Sequence, residues 1–111
     1  MNKTELTPEL QAQVDADLAP IRTQIDAVDA QLLTLLNERA KLAQQVGEVK
    51  QKYDQPVYRP ERESAVLEKI AQRNPGPLPT PQLQTLWREV MSVCRPMEEP
   101  VKVAYLGPEG T

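Results

Sequence analysis

The longest apolar pattern of the chain runs from Ile21 to Tyr53 and predicts one long helix. Apolar side chains recur there at alternating intervals of four and three residues, the heptad spacing of helices that pack side by side. This apolar seam consists of Ile21, Ile25, Val28, Leu32, Leu35, Leu42, Val46, Val49 and Tyr53. Its roughly 33 residues span about 50 Å as a helix. The spacing also places a charged residue, Arg39, where an apolar side chain would be expected.

Shorter patterns add further helices, so that the predicted fold is all-α. Residues 1–19 form a partly helical extension that Pro20 should interrupt. After a loop over residues 54–59, Pro60 suits the first turn of a second helix, which ends at the Pro/Gly segment 74–79.

A third helix opens with Thr80 as its N-cap and carries an apolar face as far as Cys94. Pro96 lies in the expected last turn and leaves the end of this helix open. Residues 20–99 are therefore interpreted as one helical domain. Residues 100–111 change to an alternating pattern followed by a Gly/Pro turn, which predicts a strand that opens a second, truncated domain.

Composition excludes several kinds of site. The 111 residues contain no His and one Cys, which excludes a His-based catalytic triad, the usual zinc ligand sets and an internal disulfide. A net charge of -3 argues against a general nucleic-acid binder. The polar start and the absence of a long apolar run predict a cytoplasmic protein without a membrane segment.

The long helix predicts both a second subunit and a site for an anion. Two helices of about 15 residues, each about 23 Å long, cannot cover a seam of about 50 Å, which favours an antiparallel homodimer. Arg39 and Lys50 are eleven residues apart and point in nearly the same direction, about 16 Å from each other along the axis. Their long side chains could converge on one small ligand. Arg22 lies about 25 Å from Arg39 on a straight helix and would serve the partner's site.

Each of these residues also has a simpler interpretation. Arg39 could be a seam arginine paired with a buried acid. Glu63 shares a stripe with Val66 and Ile70, which turns it inward, although it would also suit the positive end of the second helix. Arg62 alone would more often be a solvated arginine.

The residues from Ile21 to Lys50, IRTQIDAVDAQLLTLLNERAKLAQQVGEVK, followed by PVYRPERE at residues 56–63, resemble the all-α chorismate mutase family. The tail AYLGPEGT is similar to the opening strand and turn of prephenate dehydratase, with which such mutase domains are fused. The resemblance implies an intertwined antiparallel homodimer of three-helix chains. It also implies the Claisen rearrangement of chorismate to prephenate, in phenylalanine and tyrosine biosynthesis, without a cofactor.

The resemblance further implies roles for individual residues. Arg39, together with Arg22 of the partner subunit, would bind the two carboxylates of chorismate, and Lys50 would donate to the ether oxygen and a carboxylate. Glu63 would accept a hydrogen bond from the ring hydroxyl, with Arg62 lining the same pocket. Three further substrate-binding positions weaken the match to the family. Arg59 replaces an aspartate and Cys94 replaces a serine. Glu98 stands where a Gln or Glu faces the ether oxygen, but Pro96 just before it could redirect the chain away from the site.

Two other functions fit parts of the pattern. An isochorismate-pyruvate lyase shares this scaffold and a similarly charged pocket, but the dehydratase-like tail argues against it. A non-enzymatic oligomerisation module would use Arg39 only to fix the register of the seam. That interpretation leaves Lys50 and Glu63 unexplained.

Overall fold

The computed structural model describes residues 5–99, and every regular element in that range is helical. Helix α1 comprises Pro8–Lys52, α2 comprises Pro60–Arg73 and α3 comprises Thr80–Cys94, followed directly by a 3-10 helix, Arg95–Glu98. The all-α prediction, with three helices of which one is long, is confirmed. The strand predicted within residues 100–111 lies outside the described residues. None of the helices in residues 5–99 has the length and apolar character needed to cross a membrane.

Helix α1 continues through Pro20, so the prediction that Pro20 interrupts it is wrong. Pro20 lacks the N–H that would donate to the carbonyl of Ala16, which removes one hydrogen bond. The helix extends for more than ten residues on either side, and its cooperativity maintains it across this single defect. At the start of α1, the hydroxyl of Thr7 accepts the N–H of Leu10 at 3.0 Å, and Pro8 occupies the first turn.

The chain divides into two compact units, Met1–Leu35 and Leu36–Thr111. The described part of the first unit consists of the start of α1 and the residues before it. Its apolar seam residues are exposed: Ile21, Ile25, Val28 and Leu32 each retain 51–53% of their accessible surface. A seam that is half exposed within one chain has surface available for a partner.

The second unit contains the end of α1, the two shorter helices and the 3-10 helix. Up to residue 99, its buried residues are small or flexible: Ala43, Gly47, Met91 and Cys94. Helices α2 and α3 are also joined by the side-chain amide of Gln84, which donates to the carbonyl of Leu67 at 3.1 Å. Within this unit, the end of α1, the start of α2 and the end of α3 surround the candidate site.

The start of α2 at Pro60 confirms its prediction, whereas the N-cap predicted for α3 is wrong. Thr80 is the first residue of α3, and the N-cap position belongs to Pro79, whose carbonyl accepts the N–H of Leu83 at 3.1 Å. The hydroxyl of Thr80 instead accepts a hydrogen bond from the side-chain amide of Asn74 at 3.0 Å. Because Thr80 lies one position inside the helix, its hydroxyl binds the preceding loop and does not cap the helix.

Candidate active site

A cavity of about 540 Å³ opens in the second unit, lined by residues of all three helices, the loop before α2 and the 3-10 helix. Its walls combine aliphatic side chains with a ring of charge. The charged lining residues are Arg39, Lys50, Arg59, Arg62, Arg95, Glu61, Glu63 and Glu98. The buried thiol of Cys94 also lines the cavity. Seven of the eight predicted site residues therefore lie at one cavity, and the eighth, Arg22, is exposed on α1 in the first unit and does not line it.

Arg39 and Lys50 reach this cavity because eleven residues are almost three whole turns of α1. Both are partly buried. Within residues 5–99, Arg39 forms no ion pair, so the described chain supplies no buried acid for it. Its guanidinium thus lines the cavity without a compensating carboxylate.

Lys50 is held from two sides. Its Nζ donates to Oε1 of Glu98 at 2.8 Å and to the carbonyl of Val57 at 2.7 Å. An ammonium group has three donors, so one remains for a ligand. The Val57 carbonyl was not identified from the sequence, because a backbone oxygen is common to every residue and gives no signal there.

Glu98 reaches the cavity through the 3-10 helix. The chain does not leave the site at Pro96, which lies in the first turn of that helix and suits it because a first-turn N–H has no helical partner. The backbone of Glu98 lies directly against Gly47 of α1: a Cβ at position 47 would lie 2.7 Å from the Cα of Glu98 and overlap its carbonyl. Gly47 is thus required for this approach, a role not identified from the sequence, where only its position inside a helix was unusual.

Glu63 faces inward as predicted, but its partner, Arg95, was missed. Oε2 of Glu63 accepts from Nη2 of Arg95 at 2.7 Å and from Nε at 3.2 Å. This hydrogen bonding raises the pKa of Arg95 above its ordinary value. Arg95 follows Trp87 and Met91 at intervals of four residues, so it lies on the same side of the chain as the apolar face of α3. A charged residue in line with an apolar face was the sequence feature that could have identified it.

The start of α2 contributes two more arginines. Nε of Arg59 donates to Oε2 of Glu61 at 2.7 Å, and this hydrogen bond lowers the pKa of Glu61 below its ordinary value. The backbone of Arg59 is extended, as expected before Pro60, and its carbonyl accepts the N–H groups of Arg62 and Glu63. Arg62 is exposed at the rim and forms no ion pair with any residue from 5 to 99.

The cavity is locally positive although the whole chain carries a net charge of -3. Its five cationic side chains face three carboxylates, and each carboxylate already pairs with one cation. Two positive charges, those of Arg39 and Arg62, remain uncompensated by the described residues. The acidic and thiol groups of residues 5–99 form no cluster of three that could hold a metal ion. The arrangement is suited to a small organic dianion.

Comparison with known proteins places the sequence among chorismate mutase domains. The bifunctional chorismate mutase/prephenate dehydratase of Neisseria gonorrhoeae is 52% identical over 98 residues, which cover 88% of this chain and 26% of that protein. The protein of the same name from Pseudomonas aeruginosa is 50% identical over 99 residues, covering 85% of this chain and 27% of that protein. The chain thus spans about a quarter of the length of these curated relatives.

A solved structure has the same fold. The chorismate mutase (form II) of Thermus thermophilus superposes with a TM-score of 0.72 at 30% identity, covering 74% of this chain and 93% of that one. The family model described as chorismate mutase type II matches residues 21–99, which include every predicted site residue. The chain therefore belongs to the chorismate mutase type II family.

Proposed function

We propose that this chain is a chorismate mutase that converts chorismate to prephenate in the biosynthesis of phenylalanine and tyrosine. The observation that carries the proposal is the cavity with two uncompensated arginine charges in an acidic chain, because chorismate is a compact dianion. The names of the relatives and of the structural neighbour agree with it.

The rearrangement needs no nucleophile, redox group or net proton transfer. One carbon–oxygen bond of the substrate breaks while one carbon–carbon bond forms, within a single molecule. Arg39 and Arg22 of the partner subunit bind the two carboxylates and hold the chair-like conformer in which the reacting carbons approach each other. Negative charge grows on the ether oxygen as its bond breaks, and the remaining N–H of Lys50 stabilises it. Only this second contribution is larger in the transition state than in the ground state.

The other lining residues complete the substrate site. Glu98, when protonated, donates a hydrogen bond to the ether oxygen from the side opposite Lys50. Glu63 accepts a hydrogen bond from the ring hydroxyl. Arg59, Arg62 and Cys94 contact the substrate at the wall of the cavity, where the two arginines favour the dianion electrostatically.

The active form in this proposal is an antiparallel homodimer. The seam residues of the second unit are as exposed as those of the first, with Leu42 and Val49 each retaining 57% of their accessible surface. A row of apolar residues of this length is stabilised when another helix packs against it. A second copy of α1 has the same heptad spacing of apolar residues and can pack in this way. The dimer also brings Arg22 of the partner subunit to Arg39. The relatives are bifunctional and about four times longer than this chain. Residues 100–111 are therefore assigned to the start of a prephenate dehydratase domain. The enzyme is assigned to the cytoplasm.

Product analysis tests the function directly. The purified chain is incubated separately with chorismate and with isochorismate, and the products are separated and identified. Prephenate from chorismate is the expected result. Salicylate and pyruvate from isochorismate would identify a lyase, and no turnover of either would leave a helical oligomerisation module.

A matched pair of variants ties the activity to the cavity. Arg39→Ala removes one carboxylate ligand and is expected to lower kcat/KM at least about a hundredfold with unchanged helix content. Arg88→Ala changes an exposed arginine of α3 that does not line the cavity and should leave kcat/KM unchanged. Equal activity of the two variants would contradict the assignment of the site.

A further inference from the structure

Arg95 lies at the cavity without a role in the proposed reaction. It is the first residue of the 3-10 helix, and 36% of its side chain is exposed. Its charge is already compensated by Glu63, so it adds no free positive charge for the substrate. The question is what this pair contributes that Glu63 alone would not.

The pair is asymmetric. Both donors of the guanidinium, Nε and Nη2, bind the same carboxylate oxygen, Oε2 of Glu63. The other oxygen, Oε1, accepts no hydrogen bond from any residue between 5 and 99. A free Glu side chain rotates about its terminal torsion over a broad range, whereas one oxygen held by two donors leaves the second with a defined direction.

Arg95 is itself held on a second side. Its Cζ lies 4.8 Å from the centre of the Tyr58 ring, within the range of a cation–π contact. The guanidinium is thus fixed by a ring from the loop before α2 and by a carboxylate from the first turn of α2. These two contacts fix the orientation of the guanidinium plane of Arg95 relative to the carboxylate of Glu63.

We propose that Arg95 is a positioning residue, which holds Oε2 of Glu63 so that Oε1 is directed to accept a hydrogen bond from the ring hydroxyl of the substrate. The inference rests on the proposed function, since it concerns how the same cavity recognises its ligand. It assigns a specificity role to a residue that does not itself contact the reacting atoms.

The proposal predicts a particular kinetic pattern. The ring hydroxyl takes no part in bond breaking or formation, so a hydrogen bond to it stabilises bound substrate and transition state equally. Its loss therefore raises KM and leaves kcat nearly unchanged. Weakening a hydrogen bond to a charged group corresponds to about a tenfold rise in KM.

The experiment compares chorismate with an analogue in which hydrogen replaces the ring hydroxyl. Arg95→Met should raise KM for chorismate about tenfold with kcat changed less than about twofold. It should raise KM for the analogue much less, because only the loss of one positive charge affects both ligands. Arg95→Lys keeps a donor and should recover part of the loss. Arg88→Met, at the exposed arginine of α3, is the matched control and should behave as the parent with both substrates.

A double-mutant cycle separates positioning from general structural damage. If Arg95 acts through Glu63, adding Arg95→Met to Glu63→Gln should change KM little beyond the effect of Glu63→Gln alone. Fully additive effects, or equal losses with chorismate and the analogue, would overturn the role of Arg95. Arg95→Gln is measured in the same way should Arg95→Met fail to fold. A parent chain inactive on chorismate would overturn the proposed function and this role with it.

Discussion

Glu98 can serve the proposed reaction only as a hydrogen-bond donor, and this requires its protonated form. An ionised carboxylate accepts hydrogen bonds but cannot donate one. Glu98 pairs with Lys50 at 2.8 Å, and a bound dianion would compete for that ammonium group. An ionised Glu98 would instead place a negative charge against the ether oxygen.

We therefore expect Glu98→Gln to have a higher kcat/KM for chorismate than the parent, because its amide donates a hydrogen bond without having to be protonated. The measurement is steady-state kinetics of both proteins, with circular dichroism to monitor folding. A Glu98→Gln variant less active than the parent would contradict the assignment.

Gly47 controls whether Glu98 can reach Lys50 at all. A methyl group at position 47 would overlap the carbonyl of Glu98, so Gly47→Ala must displace the 3-10 helix. Alanine favours a helix interior over glycine by about 1 kcal/mol, whereas overpacking of this kind costs about 1–3 kcal/mol. We expect a net loss of stability in urea unfolding and a fall in kcat/KM of at least about tenfold. Glu48→Ala, the neighbouring exposed position of α1, should show neither effect.

Helical spacing alone could predict the site only within a single helix, and the residues of the other elements were predicted through the resemblance to a known family. The spacing of Arg39 and Lys50 follows from the helical period, and both lie at the cavity. Arg95 and the carbonyl of Val57 could not be identified in this way, because their partners come from other elements of the chain. Such contacts depend on tertiary packing, which no local pattern encodes.

Helix α1 is the element in which sequence and structure differ most. Pro20 should have ended a helix, yet α1 passes through it, since good helix-forming sequence on both sides outweighs one missing hydrogen bond. Boundaries set by a proline in the first turn, as at Pro60, were predicted well because the missing N–H has no cost there. Thr80 is not the cap of α3 because the helix begins one residue earlier than predicted, with Pro79 at the N-cap position.

The continuity of α1 through Pro20 predicts that this residue destabilises the protein. Pro20→Ala restores the N–H donor and should raise the free energy of unfolding by up to about 3 kcal/mol. Pro8→Ala is the matched control, because Pro8 is the first residue of the same helix and its change should alter stability by only a few tenths of a kcal/mol. Both are measured by urea unfolding at one fixed protein concentration. Equal shifts for the two variants would contradict a helix that is continuous across residue 20.

At the scale of the whole molecule, the exposed seam and the position of Arg22 both bear on whether the protein is a homodimer. The buried part of the second unit is small, and the seam residues of α1 remain exposed in both units. Arg22 does not line the cavity that contains Arg39. A homodimer that covers the seam and donates Arg22 across the interface accounts for both observations, and mixed dimers can test it.

Arg22→Ala and Arg39→Ala should each reduce activity about a hundredfold, since each removes a carboxylate ligand. If the two chains are unfolded together and refolded, half of the dimers are hybrids. One site of each hybrid then combines the intact Arg39 of one chain with the intact Arg22 of the other. The mixture should recover about a quarter of the parent activity per site. Mixing Arg39→Ala with Lys50→Ala is the control, because both residues belong to one chain's cavity and every hybrid site then lacks one of them. Recovery in the first mixture alone requires Arg22 to act across the interface, whereas no recovery in either would rule out that role.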